Sequence, residues 1–188
     1  MSKASKAAEC ALCGAKSTQR CSRCREVFYC TEEHQYTHWR AHKNYCGPPS
    51  TISISAIFIP ADEDSPREVT VKCTATHVGG SIFYNPDLES FLGTTDIGGQ
   101  RISRMGYNGP KLTNPITCYI RDNFNNDGSP FNKCALKMTG GRTPLAWRGN
   151  VLAMKHSGLY PDKLLDVKLD KDLDAIVEYF KWYPNKPA

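Results

Sequence analysis

The sequence predicts an α+β protein, with a small N-terminal module followed by a mainly antiparallel β domain that a C-terminal helix closes. Three observations carry this. Six cysteines and three histidines crowd residues 10–46, eight of them at regular spacing. Downstream, apolar and polar residues alternate with period two in several short runs. Near the end, Leu173, Ile176, Val177 and Phe180 recur at helical spacing behind a start rich in acids.

The first module is read from Cys10, Cys13, Cys21, Cys24, Cys30, His34, His42 and Cys46, the pattern C-x2-C-x7-C-x2-C-x5-C-x3-H-x7-H-x3-C. Four spaced pairs supply two closed tetrahedral zinc sites, with no position left for water or substrate. Such sites hold a fold together and perform no chemistry. Spacing alone leaves sequential and interleaved pairing both open. A stretch this short cannot bury enough apolar surface to fold unaided, and zinc can contribute about 10 kcal/mol or more per site. Disulfides would suit a secreted chain. The start MSKASKAAEC has no apolar signal core, there is no Asn-x-Ser/Thr sequon, and no apolar run is long enough to span a bilayer. The expectation is a soluble intracellular protein of the nucleus or cytoplasm, with no membrane partner.

In chain order, residues 1–9 read as a flexible N-terminus and 10–46 as the finger. Arg25–Cys30 is a short strand candidate, and Thr31 caps a helix whose first turn carries Glu32 and Glu33, favourable at the positive end of its dipole. Residues 47–51, with Gly47-Pro48-Pro49-Ser50, form a stiff linker. Residues 52–183 are the second domain. Its strands are Ile52–Phe58, Val69–His77, Ile116–Ile120, Cys134–Met138 and Val151–His156; their alternation predicts a sheet with one wet face. A short helix spans Asn85–Gly93 with Pro86 in its first turn. Gly93–Pro115 is loop-rich and carries no assignment. Asp122, Asn125, Asn126, Asp127 and Gly128 lack the spacing and closing Glu of a calcium loop and read as a tight turn between strands. Pro184 ends the last helix, and 184–188 is a tail.

The string from Cys10 to Cys46, closing on Trp39-x2-His42-x3-Cys46, resembles the MYND zinc finger over about a fifth of the chain. The resemblance implies interleaved sites: Cys10, Cys13, Cys30 and His34 on one zinc ion, Cys21, Cys24, His42 and Cys46 on the other. His34 stands where that family usually has Cys, an ordinary replacement in a Cys3His site. His38 is its rival, but only His34 keeps the x3 spacing. The resemblance also implies a protein-interaction module that takes short proline-containing peptides, with Gln35 and Trp39 as the peptide-binding residues. At i and i+4 the two share one helix face, and the strand at Val27–Tyr29 could add backbone hydrogen bonds. The plain alternative is that Trp39 only packs the finger's small core. The region with NDGSP, Trp147-Arg148-Gly149 and the last helix is similar to regions that follow MYND fingers in fungal proteins, a group with no activity attached.

Charge argues against nucleic acid. The formal net charge is +5, but each zinc-loaded Cys3His site totals −1, which brings the chain to about +3. No dense basic run or aromatic-basic interleave is present. Cys73, Cys118 and Cys134 fall on apolar strand faces and read as small hydrophobes; a Cys–His hydrolase pair or third metal site with His77 or His156 is the sharper alternative. The downstream region is short for the lysine methyltransferases that carry such fingers, and it shows no Gly-rich cofactor loop. The expectation is a regulatory or adaptor protein, not an enzyme; a ubiquitin-ligase adaptor would use the same chemistry on another partner.

Overall fold

The computed structural model describes residues 8–43, 46–48, 50–78, 81–158 and 163–183. Expectations for the first seven residues, Pro49, Pro184 and the tail lie outside the described residues, as does the side chain of His77. The chain divides into two compact units, 1–50 and 51–188.

The first unit has almost no apolar core. Four two-residue strands, β1 (Ala8–Glu9), β2 (Lys16–Ser17), β3 (Gln19–Arg20) and β4 (Phe28–Tyr29), pair as β1–β2 and β3–β4, both antiparallel. Helix α1 (Glu32–His42) follows, and Thr31 caps it as expected, its Oγ1 accepting from the His34 N–H at 3.2 Å. Fully buried Tyr29 packs among Cys10, Cys21, Cys24 and Cys46. The predicted strand over Arg25–Cys30 shrinks to Phe28–Tyr29, because Arg25 turns back in the left-handed region at φ 58°.

The second unit is one antiparallel sheet. Its strands are β5 (Thr51–Ile59), β6 (Arg67–Val78), β7 (Ser81–Pro86), β8 (Ile97–Arg104), β9 (Lys111–Arg121), β10 (Val151–His156) and β11 (Leu164–Leu165). The order is β7-β6-β5-β10-β9-β8, with β11 beside β10. Helices α2 (Glu89–Leu92), α3 (Lys133–Met138) and α4 (Leu169–Trp182) complete it.

The wet face is not found at the sheet's centre. Ile57, Ile59, Cys118 and Ala153 join Ile176, Tyr179 and Phe180 of α4 and Cys134 and Ala135 of α3 in one core. The opposite side chains, Ala56, Phe58, Leu152 and Met154, form a second core with Val71, Cys73 and Leu92 of α2. Alternation survives along β5 and β10, but both faces are apolar because helices cover both sides. Each fully buried large aliphatic side chain contributes about 1.5–3 kcal/mol.

Four local expectations are corrected. Cys134–Met138 is helix α3, not a strand: buried Asn132 caps it by accepting from the Ala135 N–H at 2.7 Å, so Cys134 sits on a helix and Leu136 points out. The short helix keeps only Glu89–Leu92, closed by Gly93 at φ 67°, while Asn85 and Pro86 end edge strand β7, where a missing N–H is tolerated. The unassigned stretch contains β8, whose Gly98 and Gly99 hide its pattern. A Cβ on Gly98 would lie 2.6 Å from Asp122 Oδ1. The Asp122–Gly128 turn leads from β9 towards α3, with the Asp127 carboxylate accepting from Ser129 N–H and pairing with Arg121.

Candidate metal centre

Each ligand pair is presented by a tight local structure. At the first, Gly14 N–H donates to the Cys10 carbonyl (2.9 Å) and Cys10 N–H to the Ala15 carbonyl (2.7 Å). At the second, Arg25 N–H donates to the Cys21 carbonyl and Cys21 N–H to the Val27 carbonyl, both at 2.8 Å. These turns aim both sulfurs of a pair to one side. Cys30 directly follows β4, and α1 carries His34 in its first turn and His42 in its last. The fold therefore interleaves the pairs.

Two groups of four donors result: Cys10, Cys13, Cys30 and His34, and Cys21, Cys24, His42 and Cys46, the donor atoms of each within 4.8 Å of one another. In the first, Cys13 and Cys30 sulfurs are 3.5 Å apart and His34 Nδ1 lies 3.1 Å from Cys30 Sγ. In the second, Cys21 and Cys46 sulfurs are 3.6 Å apart and His42 Nε2 lies 3.5 Å from Cys24 Sγ. A tetrahedron with Zn–S of about 2.3 Å has edges of roughly 3.8 Å, so the donors fit zinc. His38 is in neither group; its Nδ1 meets the Tyr29 hydroxyl at 3.0 Å and its ring stacks on His42.

The electrostatics ask for a cation. Desolvation raises the Cys10 thiol, but N–H groups of Cys30, Leu12 and Cys13 and the His34 ring outweigh it and hold the thiol down at about 5. Cys21 is likewise raised by desolvation, then brought down to about 6 by the N–H groups of Cys24 and Arg23 and by His42 and Cys46. Cys30 is pushed up to about 11 by the sulfur of Cys13, by desolvation and by Cys10. Cys46 is pushed to about 11 by desolvation and by Cys21 and Cys24. Thiols this crowded cannot all ionise unless a divalent ion neutralises them. These are two Cys3His zinc sites.

On its outer face, α1 sets Glu32, Gln35, Tyr36 and Trp39 around an open groove of about 430 Å³. Trp39 is 36 % exposed and sets its ring edge-on to that of His42 at 5.9 Å; Tyr36 is 84 % exposed. Tyr36 was not singled out in the sequence, although positions 32, 35, 36 and 39 follow the i, i+3, i+4, i+7 spacing of one helix face. The expected peptide strand beside Val27–Tyr29 has no free edge at Phe28. That residue faces Arg20 on one side and Cys10 on the other, where Ala11 N–H donates to the Phe28 carbonyl at 2.9 Å.

In the second unit, Cys73, Cys118 and Cys134 are fully buried. Burial raises the Cys73 thiol and pushes Cys118 up to about 12 and Cys134 up to about 11, the last aided by Glu63 and Asp64. The only metal-competent groups among the described residues are the two in the finger, and no described helix is long and apolar enough to cross a membrane.

Residues 10–46 match the MYND finger family. Ubiquitin carboxyl-terminal hydrolase 15 of Arabidopsis thaliana is 42 % identical over 57 residues, 30 % of this chain and 6 % of that protein. Egl nine homolog 1 of Homo sapiens is 53 % identical over 38 residues, 20 % of this chain and 9 % of that protein. Programmed cell death protein 2 of Bos taurus is 46 % identical over 44 residues, 23 % of this chain and 13 % of that protein. The chain thus spans a small fraction of these curated relatives, and the likeness is confined to the finger region. No solved structure matches the chain.

Proposed function

We propose that this chain, whose residues 10–46 form a MYND finger, is a regulatory or adaptor protein that takes short proline-containing segments of partner proteins on the outer face of α1. MYND fingers are zinc-binding, non-catalytic protein-interaction modules. The observation that carries the finer reading is the solvent-open groove in which Gln35 and Trp39 stand side by side. A polyproline-like peptide offers flat rings and unpaired carbonyls; the Trp39 indole supplies a stacking surface and the Gln35 amide a donor. Since both edges of Phe28 are taken, recognition falls to side chains of the helix. Six zinc thiolates suit a reducing compartment in the nucleus or cytoplasm.

The test is titration of a labelled Pro-x-Leu-x-Pro peptide against the zinc-loaded chain by fluorescence anisotropy. Micromolar binding is expected, as for a small transient surface. Trp39→Ala should weaken it by about 2 kcal/mol or more, roughly 30-fold, with both zinc ions retained; Gln35→Ala should cost about 1 kcal/mol. Unchanged binding by Trp39→Ala overturns the reading, and loss of zinc from that variant assigns Trp39 to packing instead.

A further inference from the structure

The second unit carries a groove of its own, separate from that on α1. The five large hydrophobics most exposed among the described residues are Leu12, Tyr36 and Trp39 of the finger, and Phe131 and Leu136. These last two, at 58 % and 51 % exposure, line the same groove. The groove holds about 330 Å³ between α3 and the segment returning to β10, with Phe131, Lys133, Leu136, Pro144, Ala146 and Trp147 along it. Two such side chains meeting at one concavity mark a contact site; scattered exposed hydrophobics would not.

Its frame is fixed. Asn132 caps α3 and donates from Nδ2 to the carbonyls of Ile59 (3.1 Å) and Gly149 (2.8 Å). Phe131 bridges to Arg148 on the returning segment, and the Arg148 guanidinium lies 3.9 Å over the Phe131 ring. Cys134 and Ala135 anchor the inner side of α3 in the core, which leaves Lys133 and Leu136, three apart, on the outer side. The open face is therefore a fixture of the fold.

Charge identifies the occupant. Residues 128–158 hold Lys133, Lys137, Arg142, Arg148 and Lys155 and not one Asp or Glu. Of the acids in the facing segment, Asp64 pairs with Lys137 at 2.8 Å and Glu63 with Arg67, while Asp62 lines a separate pocket with Arg121 and not this groove. Lys155 is held by Asp172. Lys133 and Arg142 have no ion-pair partner among the described residues, and Arg148 spends a donor only on the Ser129 carbonyl. The groove is thus a mainly apolar slot that Lys133 lines, with Arg148 over its Phe131 ring and Arg142 next in the chain to its Thr143, of a volume that takes an anchor side chain and not a folded surface. We infer that it docks a short linear segment of a partner protein in which a large apolar side chain is flanked by Asp or Glu.

The test uses the full zinc-loaded chain and labelled peptides. The probe is Glu-Glu-Phe-Leu-Glu-Glu, compared with the same centre flanked by lysines and with an Ala-Ala centre flanked by glutamates. The acidic apolar peptide should bind, weaken on adding salt, and lose about fivefold or more in affinity to Leu136→Ala, a change at a half-exposed position that leaves the fold intact. Lys133→Glu with Arg142→Glu should reverse the preference towards the lysine-flanked peptide, an outcome that mere unfolding does not produce. Trp39→Ala should leave this binding unchanged, so failure here and failure of the finger's groove are distinguishable. The inference is overturned by equal binding of both charged peptides or by no binding at millimolar concentration. It is also overturned if sedimentation shows a dimer that Leu136→Asp dissociates, or if the chain floats with neutral phosphatidylcholine vesicles through this face.

Discussion

Asn132 is 3 % exposed and ties three segments with one amide. Its Oδ1 accepts from Ala135 N–H at 2.7 Å, and its Nδ2 donates to the carbonyls of Ile59 on β5 and Gly149 before β10. Asn132→Ala removes a helix cap worth about 1 kcal/mol and leaves two carbonyls short of a donor, each at about 1 kcal/mol or more. The expected loss is about 3 kcal/mol, or roughly 10 °C in Tm for a domain of this size. Asn132→Asp separates the two roles, since the carboxylate can still cap but sets a negative charge against two carbonyl oxygens. It should destabilise at neutral pH at least as much as alanine. Burial lifts the folded-state pKa of such a carboxyl above its unfolded value, so the acid form is favoured by folding. The aspartate variant must therefore recover stability as pH falls and lose it as pH rises through the raised pKa, while the alanine deficit stays flat. Urea unfolding followed by Trp147 and Trp182 fluorescence in a Trp39→Phe background reads this unit. A loss under 1 kcal/mol for alanine, or an aspartate deficit that ignores pH, would refute the reasoning.

Other expectations follow from burial. The second zinc site is wholly buried, whereas in the first Cys13 is exposed and Cys30 and His34 are half-buried; a chromophoric chelator should strip zinc in two phases, with Cys13 alkylated during the first, and a single phase would contradict this. Elemental analysis of His34→Ala should find one zinc ion per chain, whereas His38→Ala should retain two and lose about 1 kcal/mol with the Tyr29 hydrogen bond. Cys73, Cys118 and Cys134 should resist thiol reagents until the domain unfolds; rapid labelling of any of them in the native state at neutral pH would reopen a catalytic reading of the second unit.

The finger was legible because metal replaces a core. Each stabilising contact is a named Cys or His at short range, and Thr31 announces its own cap. The pairing needed a family resemblance, since spacing fits either order, and the structure interleaves it. The second unit was less legible because its decisive contacts are distant. Alternation at Ile52–Phe58 gave the strand, but nothing local says that α4, more than a hundred residues on, covers the side of Ile57 while α2 covers that of Phe58. Three alternating residues at Cys134–Met138 are too few to tell a strand from a helix, and the signal that decides is the Asn132 cap two residues before Cys134. Gly98 and Gly99 erased the apolar pattern of β8, where a Cβ on Gly98 would displace the Asp122 carboxylate and one on Gly99 would crowd Thr117.

Helix α1 begins beside one zinc site and ends in the other, with Gln35, Tyr36 and Trp39 between. If the proposed groove is the binding site, metal and partner are two ligands of one short rod. A partner that engages this face only when the helix is formed must raise the finger's affinity for zinc by the same factor by which zinc raises its affinity for the partner. The supply of free zinc becomes an input to partner binding, and a bound partner protects the metal. A scaffold of this kind holds its zinc most firmly while it is in use.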